Sequence, residues 1–310
     1  MSALLAVLLA VLATCLLLAG ALILGGGALL VAGGLLTRLV EVLAPALLVV
    51  WFVVHGRRSA PGWQRLPGTL YAHRGLHGPG VPENSLPAFR AAAEAGYGAE
   101  LDVHLTADGR LVVFHDGDLA RMCGVEGTVE ALPSDVLREL RLAGTTETIP
   151  FLEEVVPLFA GRPGGLIVEL KPAGGNHAAL AEATLRCLDG FSVPYCVESF
   201  DPRCLMWLRR HRPEVLRGQL MQNFLARPEG LSWWNRLALT GLFYNVAARP
   251  DFVAVRFEDR KLPAVRLCRA LGVREAVWTV RTAEELDTAR REGALVIFEE
   301  IHPEKEERDL

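Results

Sequence analysis

Charge is almost missing from the front of this sequence: between Ser2 and Val54 only Arg38 and Glu41 carry one. The chain as a whole lacks net charge as well, its 32 basic and 36 acidic residues leaving only −4. That balance supplies no field strong enough to gather a polyanion, so no nucleic-acid partner is expected. No CxxC pair occurs among the six cysteines, whose scatter fits small core residues in a reducing compartment better than a disulfide framework. No GxGxxG follows the first strand-like run, which argues against a doubly wound dinucleotide fold. Internal repeats and low-complexity tracts are absent too, which removes solenoids and biased linkers from consideration.

What is present in place of charge is a long apolar run. About 20 apolar residues cross a bilayer core, and residues 1–55 are more than twice that length. A cleaved signal peptide would need a basic start and a short apolar core, and this segment has neither. Glycines 25–27 divide it into two expected helices, about 3–24 and a second ending near Val54. A single kinked or re-entrant span is the alternative, since Arg38 and Glu41 are i, i+3 neighbours able to pair within a helix. The basic cluster in "VVHGRRSAPGWQR" follows the last apolar residue and nothing comparable precedes the first. The positive-inside rule then puts the rest of the chain on the cytoplasmic side of a membrane. Trp63, like Trp51, is expected at the bilayer interface.

Residues 56–68 read as a linker bearing proline and glycine, and 69–310 as one large α/β domain. Short apolar runs alternate with helical patterns: "TLYAH", a helix from Asn84, "GAELDVHL", a hairpin at "ADGR" into "LVVFH", then helices near 134–141 and 151–160. "GLIVEL", "YCVESF", "LRGQLM", "DFVAV", "EAVWTV" and "ALVIF" follow, separated by helices near 177–189, 202–211, 263–271 and 282–292. Strands spaced by helices imply parallel pairing. Roughly eight of them in this length predict a TIM (β/α)8 barrel preceded by transmembrane helices.

The polar residues sit at strand ends, which in such a barrel meet at one mouth. His73 and Arg74 end the first strand. Glu100 and Asp102, two apart in the next, share a face. His115 follows in "FHD", and Glu169 and Lys171 share a face in "IVELK". Three carboxylates make a hard oxygen site suited to Mg²⁺ or Ca²⁺, and two cations beside them suit an anion. A phosphate diester would use that inventory, with one imidazole removing a proton and the other supplying one. Each residue alone has a plainer explanation: ExD in a strand is often a solvated face, and Lys171 before Pro172 can mark a strand end. His104 continues the face of Glu100 and Asp102 but is better suited to packing or hydrogen bonding lower in the barrel. His77 reads as a solvated loop residue near the mouth. In "PENS", Asn84 is expected to cap the next helix while Glu83 reaches towards the site.

"HRG", "PENSLPAF", "ELDVHLTADGRLVVFHD", "IPFLEEV" and "VELK" resemble, in order and spacing, the glycerophosphodiester phosphodiesterase family, and "VESFDP" and "VWTVR" resemble its later landmarks. The resemblance covers about residues 69–303. It implies a divalent cation, Mg²⁺ or Ca²⁺, held by Glu100, Asp102 and Glu169, an acid/base pair in His73 and His115, and phosphate contacts from Arg74 and Lys171. It also implies attack on phosphorus by the neighbouring glycerol hydroxyl, with a cyclic phosphate that water then opens. Two departures bear on substrate choice: Glu299 and Glu300 stand near the family's closing aspartate, and Arg281 replaces its asparagine. Trp278 is expected to stack on the glycerol or head group, or else to belong to the core. The apolar insertion, about 228–250, either lies in the bilayer surface through Trp233, Trp234, Leu237, Phe243 and Tyr244 or packs on the barrel. The expected partners are a glycerophosphodiester or lysophospholipid substrate and the bilayer itself. A lysophospholipase D-type activity on lysolipids, a lyase stopping at the cyclic phosphate and a silent membrane-bound binding barrel are the alternatives.

Overall fold

The computed structural model of the chain describes residues 68–303, together with residues 34, 37–41, 43, 63 and 66. The expected membrane spans and most of the linker lie outside the described residues. Among those that are described, no helix is long and apolar enough to cross a membrane. Arg38 and Glu41 do pair at i, i+3, 3.2 Å apart on an exposed helical surface.

The expected barrel is there. Its wall consists of β1 (Leu70–Ala72), β2 (Gly98–Leu105), β4 (Leu166–Leu170), β5 (Tyr195–Ser199), β6 (Arg217–Met221), β7 (Phe252–Arg256), β8 (Arg274–Val280) and β9 (Leu295–Phe298). All pair in parallel with their neighbours, and β1 closes the ring by pairing with both β2 and β9. These strands are buried on both faces because one face meets the helices and the other fills the barrel. The crossovers are α1 (Leu86–Glu94), α5 (His177–Leu188), α6 (Pro202–His211), α9 (Pro263–Ala270) and α10 (Ala283–Arg291). Their apolar faces form the outer core with residues such as Phe89, Leu101, Val168, Leu205, Val253 and Val277.

Two connections depart from a single crossover helix. Between β2 and β4 the chain makes the predicted hairpin, β3 (Leu111–Val113) running antiparallel to β2. It continues through α2 (Ala120–Cys123), α3 (Ser134–Glu139) and α4 (Leu152–Val155). This excursion has its own small core of Val112, Phe114, Leu119, Leu137, Leu142 and Ile149. Between β6 and β7 the expected insertion forms α7 (Trp233–Thr240) and α8 (Asn245–Ala248).

Inward-facing residues alternate along each strand, and the register sets them in layers. The lower layers are apolar: Tyr71, Ile167, Cys196, Phe252, Ala254, Ala276 and Ile297. Gly218 belongs to this stacking, because a Cβ there would lie 2.1 Å from the Phe252 ring that fills the space. Trp63 closes the base, its ring 5.6 Å from that of Phe252 with the Arg274 guanidinium 4.5 Å over it. Trp63, expected at a bilayer interface, is half-buried against this end of the barrel. One layer above, Asp102 aligns with Glu169, and Glu169 with Glu198, so three acids stand side by side on the inner wall.

Candidate active site

The turn after β1 sets the first pair of groups. Arg74 is left-handed (φ 53°) and Gly75 follows at φ 80°. A Cβ at Gly75 would meet the Ala88 backbone at 2.8 Å, so only glycine fits against α1. A left-handed arginine carries strain on the order of 1–3 kcal/mol, tolerated where surroundings fix it. Here the Arg74 N–H donates to Glu100 Oε2 at 3.1 Å, and its C=O accepts from the Asn84 N–H at 2.9 Å.

Asn84 does not cap α1 as its position suggested. Ser85 is the cap, accepting from the Ala88 N–H, which lets Pro87 fall in the first turn where its missing N–H is harmless. Asn84 instead turns inward and donates from Nδ2 to Asp102 Oδ2 at 2.8 Å. Its signal in "PENS" was there but was read one residue too early.

Glu100, Asp102 and Glu169 are buried and each offers an oxygen within 4.8 Å of the others. Lys171 Nζ lies 3.1 Å from Asp102 Oδ1 and 2.8 Å from Glu169 Oε1, though neither contact is aligned as a hydrogen bond. Burial, compounded by Asp102, Glu169 and Glu198, pushes the Glu100 carboxyl well above the usual carboxylate range. Burial likewise pushes Glu169 up to about 7. Burial also opposes ionisation of Asp102, but Lys171, His115, Arg74 and Asn84 outweigh it and hold this carboxyl well below the usual range. Three crowded acids, with Asp102 Oδ1 and Glu169 Oε1 buried without a hydrogen bond, fit a hard divalent cation, whose charge would let all three ionise.

The two histidines are built alike. His73 Nδ1 is 2.9 Å from Glu299 Oε2, which leaves Nε2 facing the cluster, 3.9 Å from Glu100 Oε2. His115 Nδ1 is 2.6 Å from Asp116 Oδ1. A carboxylate on Nδ1 keeps the proton there and leaves Nε2 as the free acceptor. Burial lowers the pKa of His73 against the pull of Glu299, and lowers that of His115 to about 4. His115 comes not from the end of a barrel strand but from the returning β3 hairpin, where the Phe114 N–H donates to Asp102 O at 3.0 Å.

A chain of ion pairs joins these groups. Arg74 donates to Glu83 at 2.9 Å, Arg121 to Glu83 at 2.6 Å, and Arg121 to Asp116 at 2.5 Å. Glu83 thus reaches the site as expected. Arg121 had no readable signal, because it arrives on α2 from the excursion. Glu198 was missed although "VESF" places it at the register of Glu169; burial and the neighbouring Glu169 raise its carboxyl well above the usual range. Gln222 and Glu229, paired with each other, were also missed.

All eight expected residues come together. His73, Arg74, Glu100, His115, Glu169, Lys171 and Trp278 line one cavity of about 350 Å³, with Asp102 directly behind Lys171. Trp278 is held by its indole N–H donating to Ala254 O at 3.1 Å. His104 stays out of the cluster, its Nδ1 2.5 Å from Glu130. His77 approaches the rim, 3.6 Å from Glu299. Glu299 proves to be the partner of His73 and of Arg281, which donates to it at 2.9 Å.

A barrel whose mouth gathers buried acids, two carboxylate-backed imidazoles and two cations is the layout of an enzyme acting on an anionic ester. Over residues 73–298 the chain matches the glycerophosphoryl diester phosphodiesterase family and belongs to it, which makes it an enzyme of the phosphodiesterase class. It is 28% identical over 236 residues to the glycerophosphodiester phosphodiesterase of Caldanaerobacter subterraneus subsp. tengcongensis, covering 72% of this chain and 90% of that one. It is 31% identical over 170 residues to the Bacillus altitudinis glycerophosphodiester phosphodiesterase, covering 52% of this chain and 69% of that one. The Thermotoga maritima glycerophosphodiester phosphodiesterase structure superposes with a TM-score of 0.56 at 27% identity, covering 74% of this chain and 93% of that one. An Oleispira antarctica phosphodiesterase, solved in complex with the product sn-glycerol-3-phosphate, shares the fold at a TM-score of 0.64 and 24% identity, covering 77% of this chain and 94% of that one.

Proposed function

We propose that this chain hydrolyses glycerophosphodiesters to an alcohol and glycerol 3-phosphate, with Mg²⁺ or Ca²⁺ held by Glu100, Asp102 and Glu169. The observation that carries the reading is the buried three-carboxylate cluster flanked by two imidazoles whose Nδ1 atoms are each engaged by a carboxylate. A bound divalent cation would supply charge neutralisation and polarisation of a phosphoryl oxygen.

The chain's own groups account for the proton traffic. Attack by the neighbouring glycerol hydroxyl requires one proton to be taken and one given to the leaving alcohol, and opening of the cyclic phosphate by water requires the reverse. His73 and His115 are the acid/base pair: one takes the hydroxyl proton at its free Nε2 while the other, entering the step as imidazolium, gives one to the leaving alcohol, and the roles reverse when water attacks. Arg74 and Lys171 offset the charge on the phosphoryl oxygens. Trp278 and Phe200 form an aromatic wall against the glycerol or head group, their rings edge to face at 5.7 Å. The hydroxyl attacks within one bound molecule, so proximity supplies much of the rate.

Residues 1–55 are a membrane anchor, 56–68 a linker and 69–310 the catalytic barrel, with its insertion at about 228–250. The apolar run and the basic cluster after it support attachment at the cytoplasmic face. Protease protection of the barrel in spheroplasts, lost on lysis, is the expected result; cleavage in intact spheroplasts would reverse the orientation.

The activity is tested by alcohol release from glycerophosphocholine, glycerophosphoethanolamine and glycerophosphoglycerol, with and without each metal, using His73→Ala as the blank. Metal-dependent release that disappears in the variant is expected. Release equal to the variant on every diester with either metal would sink the reading.

A further inference from the structure

Among the acids at the mouth, Glu198 of β5 has no part in the chemistry above. It is 1% exposed, yet it lines the catalytic cavity, and its Oε2 is buried without a hydrogen bond. A buried polar oxygen without a partner is rare and costly, so one left beside a reaction cavity marks a place for a group that enters with the substrate.

Its neighbours explain why no side chain serves it. On one flank the strand register sets it beside Glu169, whose Oε1 already faces Lys171 Nζ at 2.8 Å. On the other it sets it beside Gly218, which has no side chain and leaves its space to the Phe252 ring. Two residues further along the same face, Phe200 lines the cavity and meets Trp278 edge to face at 5.7 Å. Glu198 is not one of the three acids whose oxygens gather within 4.8 Å of one another, so it stands beside the cation site rather than in it.

The reaction proposed above leaves one reactant without a holder, the water that opens the cyclic phosphate. In-line displacement fixes its place: the alcohol departs opposite the attacking glycerol hydroxyl, and water must arrive on the side the alcohol vacated. That side is the aromatic wall assigned to the head group, with Glu198 beneath Phe200. We propose that Glu198 holds this hydrolytic water, accepting a hydrogen bond from it at Oε2, an inference that rests on the phosphodiesterase reading above. The histidine that protonated the alcohol takes the water's other proton as its oxygen bonds to phosphorus. The bond from phosphorus to the glycerol oxygen that had attacked then breaks, and the second histidine returns its proton to that oxygen, giving glycerol 3-phosphate. No further reactant is needed, and Glu198 thereby decides whether the cyclic phosphate is opened or let go.

The test uses the full chain in lipid nanodiscs with Mg²⁺ or Ca²⁺ and glycerophosphocholine, and follows by phosphorus NMR the ratio of cyclic phosphate to glycerol 3-phosphate as choline is released. Glu198→Leu, of similar size but without an acceptor, is expected to raise that ratio on the order of tenfold or more, since a misplaced reactant is costly. Glu198→Gln is closer in shape and puts folding least at stake; it keeps one oxygen and is expected to raise the ratio about threefold or more. A ratio within about twofold of wild type in both variants, with both steps slowed together, would assign Glu198 to the cation or the fold and overturn this proposal alone. A wild-type protein that stops at the cyclic phosphate would overturn it together with the hydrolytic half of the phosphodiesterase reading. No alcohol release from any diester with either metal would overturn that whole reading and this proposal with it.

Discussion

The two halves of the barrel mouth are made of different material. Over β9, β1, β2 and β4 nearly every side chain is ionised or ionisable and tied to another: His73 to Glu299, Arg74 to Glu83, Arg121 to Glu83 and Asp116, Lys171 to Asp102 and Glu169. Over β5 to β8 the ionisable groups Glu198, Asp201, Arg203 and Glu229 are interleaved with Phe200, Phe224 and Trp278, which meet edge to face at 5.7–5.8 Å, with Met206 and Leu239 beyond. A buried ion stripped of its partner costs several kcal/mol, so the charged half tolerates little change. Apolar walls can be reshaped with smaller penalties, so the other half is free to select what is attached to the phosphate. Under the proposed function, the charged half would carry the reaction and the other half the choice of substrate.

The largest break in that division comes from the imidazoles. Replacing His115 or His73 by alanine is expected to lower kcat on the order of 10²- to 10⁴-fold, the usual contribution of a positioned acid or base. KM for a soluble diester should move far less, and a matching loss in KM alone would mean that the histidines only bind.

Next is Arg121, which touches no expected substrate atom yet ties Asp116 behind His115 to Glu83 behind Arg74. Removing such an outer support typically costs about 10- to 100-fold, and Arg121→Ala is expected in that range. Arg121→Lys should recover part of it. Activity within twofold of wild type in the alanine variant would make the ion-pair chain structural only.

Glu299 tests the same half through pH. Burial opposes its ionisation, but the hydrogen bond from His73 with the charges of Arg281 and His77 holds it down to about 2. Its ordinary value is about 4.3, so its stabilisation is complete above that pH and disappears as pH falls towards about 2. Thermal melts of wild type and Glu299→Gln should therefore differ at pH 7 and converge in that acid window. A gap in melting temperature that persists unchanged at pH 3 would place the effect in packing rather than charge.

The charged half was also the more legible in the sequence. Two-residue spacing in "ELD" and "ELK" is enough to place Glu100, Asp102, Glu169 and Lys171 on the inner wall, since a strand's faces alternate strictly. The strands themselves were visible as apolar runs, and the hairpin at "ADGR" followed from its turn residues. What did not show was anything set by the third dimension alone. Arg121 reaches the site from a short helix of the excursion, and Glu299 acts on His73 because β9 closes beside β1. Neither relation has a spacing to read. Asn84 failed for another reason: two adjacent residues were both good helix caps, and only the proline two places after Ser85 distinguished them. The cleft between Met206, Phe224 and Leu239 was illegible because these look like core residues until a cavity is found between them.

The smallest expected effect on the chemistry belongs to the outer face of the β5–β8 half, and it tests the proposed membrane attachment. Trp233, Trp234 and Phe243 are 52%, 73% and 54% exposed, beside the mouth. Trp63 packs on the opposite end of the barrel, and exposed indoles are at home at a lipid interface. A Trp233→Ser, Trp234→Ser double variant should turn over glycerophosphocholine within about twofold of wild type, as surface changes usually allow. In nanodiscs with brominated lipid, however, the share of tryptophan emission that is quenched should fall. Equal quenching in both proteins would mean that the barrel stands on its base with the mouth turned to water.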